Sequence, residues 1–101
     1  MRIANVIGSV TLSRVHPTLL GARWILITPM SLNGLQSNIA DGEDLIAYDD
    51  LGAVINMKVA LAEGVEAAAP FFPEQKPVDA YCAALLDNLD IFLENSDGER
   101  I

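Results

Sequence analysis

The sequence predicts an all-β chain, a small barrel in preference to a sandwich, carrying one short helix. Three observations lead there. Short apolar runs are separated by Pro, Gly, Asp or Asn; the first run alternates every second residue; and a single segment has a helix-forming composition. With 101 residues there is room for one domain, placed at 1–94, followed by a polar tail at 95–101.

In residues 2–13, Ala4, Val6, Gly8, Val10 and Leu12 fall on one side, with Asn5, Ser9, Thr11 and Ser13 mostly on the other. A period of two marks a half-buried strand. His16-Pro17 closes it, because proline has no amide hydrogen for a ladder. A second strand, 22–28, contains Trp24, Ile25, Leu26 and Ile27 and is stopped by Pro29. The Ser-, Asn-, Gly- and Asp-containing stretch 31–43 reads as an irregular loop, long for a compact domain. A third strand, 44–48, ends in the turn Asp49-Asp50-Leu51-Gly52, and a fourth covers 57–62. The helix is 64–69, alanine-rich and ended by Pro70. A turn at Glu74-Gln75-Lys76-Pro77 leads to a fifth strand, 81–86, whose unbroken apolar character predicts a central position. Asp87 and Asn88 interrupt it before strand character resumes at 89–93.

Composition narrows the function. Half the residues (51%) are apolar and 20% are charged, which excludes a disordered chain. That is more apolar surface than a small monomer easily hides, so self-association is expected. Six basic against fourteen acidic residues leave a net charge of −8. Nucleic acid is a poor partner for such a surface, since its binding rests on Lys and Arg neutralising phosphates. No polybasic membrane patch is present, and the apolar stretches fall short of the ~20 residues that span a bilayer. The chain opens on a strand-like pattern without a signal-peptide core, and its single cysteine, Cys82, suits a reducing compartment. Together these set the expectation of a soluble intracellular protein.

Residues with chemical potential are solitary. His16, the one histidine, sits in a turn with no ligand partner at metal-binding spacing and reads as structural. Cys82 lies in an apolar strand without a basic neighbour, so it reads as core. Asp49 and Asp50 are adjacent, a pattern that more often bonds local amides than performs acid–base work. Glycines occur singly, without a phosphate-cradling loop. The aromatics read first as core and second as interface anchors, without basic stacking partners. No catalytic residue, metal site or cofactor is expected.

Several of these segments, taken in order, resemble one family. The opening Met1–Val10, the Leu19-Leu20-Gly21 to Ile25-Leu26 stretch, and the ordered set Asp49, Gly52, Ala53, Gly64, Ala67, Pro77, Val78 and Asp79 are similar to the EutN/CcmL family, as is Ala83–Asp87. The chain departs from the family pattern at Val54 (usually a second glycine), Met57 (an acid), Val65-Glu66 (small hydroxyl residues) and Ala68 (an arginine), and in a longer 31–43 loop.

The resemblance implies a five-stranded, OB-like barrel that assembles as a cyclic homopentamer. Such pentamers close the vertices of bacterial microcompartment shells, within the cytoplasm, against hexameric facet proteins. It places Gly52, Ala53, Val54, Ile55 and Asn56 near the five-fold axis, a tight strand connection being the alternative. Arg2, Arg14, Arg23, Lys58, Pro77 and Asp79 become candidate contact residues. Five copies of a −8 chain would carry −40, so cations are expected where subunits meet. The competing function is an OB-like barrel that binds a small molecule or a protein as a monomer or dimer.

Overall fold

The computed structural model describes residues 1–91. Five strands close a barrel: β1 (Arg2–Val10), β2 (Arg23–Met30), β3 (Leu45–Asp49), β4 (Lys58–Glu63) and β5 (Ala80–Leu85). The order round the barrel is β1-β2-β3-β5-β4, antiparallel except where β3 meets β5. Two short helices, α1 (Leu32–Ser37) and α2 (Val65–Ala68), lie outside it. The all-β barrel expected from the sequence is therefore the fold, with strand limits mostly within a residue or two of those read from pattern.

The differences have local causes. Strand β1 ends at Val10, not at residue 13, because Trp24 is its last partner on β2. The register shifts between Val6 and Gly8, leaving Ile7 as a bulge, 40% exposed. A bulge reverses the facing of everything after it. Ala4 and Val6 point into the barrel as expected, but Val10 pairs with Trp24 on the outside. Strand β2 runs through Pro29 to Met30, past the expected stop. Its last pairing with β3 is Ile27 to Leu45, so beyond it no ladder on that side needs the missing amide.

Within the expected irregular loop 31–43, Ser31 Oγ accepts from Gly34 N at 3.1 Å and starts α1. Ser31 N in turn donates to Asp41 at 2.8 Å. Ser31's hydrogen bonds hold the Asp41 carboxyl below its usual range. A side chain at Gly34 would collide with Asp41 and the Ile39 carbonyl, so only glycine lets this loop close. Strand β5 is paired on both sides yet is not a buried central strand. Ala80 and Cys82 face inward, while Ala83 is an exposed bulge opposite β4. Residues 89–91 carry no strand; the expected strand residues Phe92 and Leu93, the boundary at 94 and the tail at 95–101 lie outside the described residues.

The barrel interior is filled. Ile25, Ile27, Val59, Leu61 and Cys82 are fully buried, interleaved with Ala4, Ala47 and Ala53. A five-stranded barrel is narrow, and alternating large and small side chains fit its taper. A second cluster sits on the outside. Cross-strand pairing carries a row from Val10 through Trp24 and Tyr48 to Tyr81. Leu19 of the β1–β2 connection, Ala67 of α2, Phe71 and Val78 fold over this row. Ring centroids lie 4.8 Å apart for Tyr48–Phe71 and 5.4 Å for Trp24–Tyr48, both edge-to-face.

Burial pushes the Cys82 thiol from about 9 up to about 12, helped by the Asp49 charge. Burial and the Asp50 carboxylate push the Tyr81 phenol from about 10 to about 12. Both groups ionise more easily unfolded than folded, so their stabilisation is complete below pH 9 and disappears as pH rises to 12. Denaturation midpoints should fall steeply across that window. Native Cys82 should also stay unreactive towards a disulfide-exchange reagent at pH 8 and react stoichiometrically once unfolded. Removing core volume with Leu61→Ala should cost about 2–5 kcal/mol in chemical denaturation.

Candidate assembly surface

The connection from β3 to β4, residues 50–57, is held from beneath by one carboxylate. Asp49 is directly opposite Arg23 across β2–β3, continuing the inward row of Ile25 and Ala47, and its side chain is fully buried. It receives Leu51 N at 3.0 Å, Ala53 N at 2.8 Å and the Arg23 guanidinium. Gly52 follows with φ of 86°, a left-handed conformation that glycine adopts without steric cost. The far end is tied to β1: Asn56 N donates to Val6 O at 2.8 Å, and Val6 N to Met57 O at 2.9 Å.

A loop fixed at both ends presents what lies between. Val54 is 54% and Ile55 62% exposed, on the rim of a hollow of about 400 Å³ shared with Ser9 and Arg23. They belong to a wider set. Among the described residues thirteen large apolar side chains are substantially exposed, with Val65 at 91% and Phe72 at 84% the extremes. Val65 and Phe72 flank a second, apolar hollow of about 420 Å³ beside α2. Where such side chains adjoin, as Val54 and Ile55 do, they offer apolar surface to another chain.

The structure places the residues singled out in the sequence as follows. Ala53 is wholly buried in the core of its own chain, so of the segment 52–56 only Gly52, Val54, Ile55 and Asn56 reach the surface. Arg2 makes a bidentate pair with Glu63 at 2.5 and 2.9 Å, holding that carboxyl below its usual range. Arg23 is engaged by Asp49. Arg14 is exposed in the β1–β2 connection, and Lys58 is half-buried on β4. In the Pro-Val-Asp stretch, Val78 is buried while Pro77 and Asp79 face out, the Asp79 carbonyl accepting from Gly64 N at 2.9 Å. His16 is structural, as expected: its Nδ1 accepts from Thr18 N at 3.2 Å and caps the 3₁₀ turn Pro17–Leu19.

Two features escaped the sequence. The Arg23–Asp49 pair spans 26 positions and has no local signal. The aromatics, expected to lack basic partners, have one: Lys76 Nζ lies 4.8 Å from the Phe71 ring centre and 6.0 Å from that of Tyr48. Only the Lys76-Pro77 turn, which folds the lysine back, brings them together. Among the described residues no group of His, Cys, Asp or Glu side chains is placed to hold a metal ion.

The barrel is packed inside and carries exposed apolar side chains outside. The family described as ethanolamine utilisation protein EutN/carboxysome matches residues 1–87, and the chain belongs to it. The carboxysome shell vertex protein CcmL of Nostoc sp. is 29% identical over 91 residues, covering 90% of this chain and 87% of that protein. The microcompartment shell vertex protein PduN of Salmonella typhimurium is 27% identical over 89 residues, covering 88% and 98%. Among solved structures, CcmL of Gloeobacter violaceus superposes with a TM-score of 0.79 at 25% identity, over 90% of each chain. The pentameric microcompartment shell protein GrpN from Rhodospirillum rubrum shares the fold, with a TM-score of 0.74 at 21% identity over 90% of this chain and 98% of that one.

Asp49→Ala should strand two backbone amides and cost on the order of 3 kcal/mol. Combined with Arg23→Ala in a double-mutant cycle, the two losses should be non-additive by roughly 0.5–3 kcal/mol.

Proposed function

We propose that this protein is a structural vertex component of a bacterial microcompartment shell, working as a homopentamer that caps a five-fold corner. The observation that carries this reading is the rigid 50–57 connection, which holds apolar side chains in solvent on a chain of this family. The relatives named as vertex proteins and the pentameric neighbours support it.

A ring of this kind uses a heterologous interface: one patch meets a different patch on the next copy, and rotation closes the ring. Gly52, Val54, Ile55 and Asn56 face the axis. Arg14, Pro77 and Asp79 lie at contacts between subunits or with hexameric facet proteins. With Arg2 and Arg23 already paired inside the chain, few cations remain to offset the acidic charge between copies. Apolar contact is therefore the main attraction, and the carboxylates belong on exposed faces. The packed interior argues against a barrel that carries a ligand in its lumen.

Size-exclusion chromatography with light scattering should give five times the 10.9 kDa chain mass; one or two chains would sink the reading. Ile55→Asp would set five carboxylates facing one another round the axis and should dissociate the ring. An unchanged mass would move the 52–56 segment away from the axis.

A further inference from the structure

We propose that a polar pit on the outer face of β1 and β4 binds a small oxyanion of carboxylate or phosphate type. The pit has a volume of about 200 Å³ and is lined by Asn5, Asn38, Asn56 and Lys58, with Met30 and Ala40 in its wall. Asn5 and Lys58 are direct partners across the antiparallel β1–β4 pair, so both side chains leave the sheet on the same face. Asn38 comes from the C-terminal end of α1, and Asn56 from the end of the 50–57 connection.

Among the described residues the site's side-chain donors have no partner. Lys58 is half-buried and forms no ion pair among the described residues of a chain with a net charge of −8. Asp87 lines the adjoining hollow beside it but does not pair with it. The side-chain amides of Asn5, Asn38 and Asn56 make no hydrogen bond among the described residues. An amide can offer either its oxygen or its NH2, so asparagines alone would suit a cation or an anion. The ammonium decides the sign. An anion drawn in by Lys58 would turn the amide NH2 groups towards itself, so that the occupied pit would be a set of donors around one bound oxyanion.

The backbone adds an independent observation. Five described residues have left-handed φ: Gly21, Gly52, Gly64, Asn38 (56°) and Asn56 (70°). Glycine is the unstrained choice at such a position, and asparagine is among the few others tolerated. The three sites away from the pit carry glycine. The two that border it carry asparagine, so an amide is supplied where the backbone by itself favours glycine.

The test is a calorimetric titration of the full chain with inorganic phosphate and, separately, with acetate, at an ionic strength held constant with chloride. Saturable binding of at least one anion is expected. Lys58→Met should weaken it at least tenfold. Asn56→Gly, which keeps the left-handed backbone, should weaken it severalfold without loss of the fold. Lys76→Met removes the same charge from the aromatic row, away from the pit, and should leave the affinity unchanged. No saturable binding, equal binding by Lys58→Met, or an equal loss in Lys76→Met would overturn the proposal. So would a wild-type protein indifferent to both anions whose assembly breaks up on Lys58→Met, since a carboxylate from another chain would then fill the pit.

Discussion

Burial of the Asp49 carboxylate at the end of the barrel is the constraint from which most of the surface architecture follows. A charge in that position is tolerated only when every direction of it is answered. Arg23 answers from the neighbouring strand, and Leu51 and Ala53 answer from the following turn. Satisfying the carboxylate therefore folds the turn. It draws Ala53 into the core and leaves Val54 and Ile55 no position except outside. A local charge requirement thereby becomes a rigid apolar prominence, which is the property an assembling subunit needs.

The second organising feature is that apolar material lies on both surfaces of one closed sheet. Inside, large and small residues fill a narrow lumen. Outside, the Trp24–Tyr48–Tyr81 row gathers the β1–β2 connection and the α2 segment against the barrel wall, with Lys76 over the rings. The bulge at Ile7 links the two layers, because it turns β1 from facing the lumen to facing the aromatic row. Lys76 occupies a position where its ammonium meets the negative ring faces while its stem covers apolar surface. The same elements also keep apolar side chains exposed, among them Ile46 of β3, Val65 of α2 and Leu85 of β5.

Much of the fold was legible because it rests on short-range signals. Alternation in 2–6, the apolar run 23–28, the Asp-Asp-Leu-Gly turn and the alanines before Pro70 each specify their own conformation. The reading failed where a distant residue decided. Val10 looks like its neighbours Val6 and Ala4, and only pairing with Trp24 shows that it has changed faces. The 31–43 stretch has loop composition, yet Asp41 reaches back to Ser31 and a turn of helix forms between them. At the assembly surface, Ala53 gave no sign that it would be pulled beneath the surface.

By itself the sequence determined the class of fold, the family and the tendency to associate. These depend on residue order, composition and local turn chemistry, which need no partner from elsewhere in the chain. The tertiary structure alone decided which apolar residues stay in water, which arginines are spent on their own chain, and where Lys58 finds three amides. Those outcomes depend on closing the barrel, which brings strands 20 to 60 positions apart into register (Asn5 beside Lys58, Arg23 beside Asp49). No local propensity contains that closure, because its energy comes from contacts that exist only once all five strands have met.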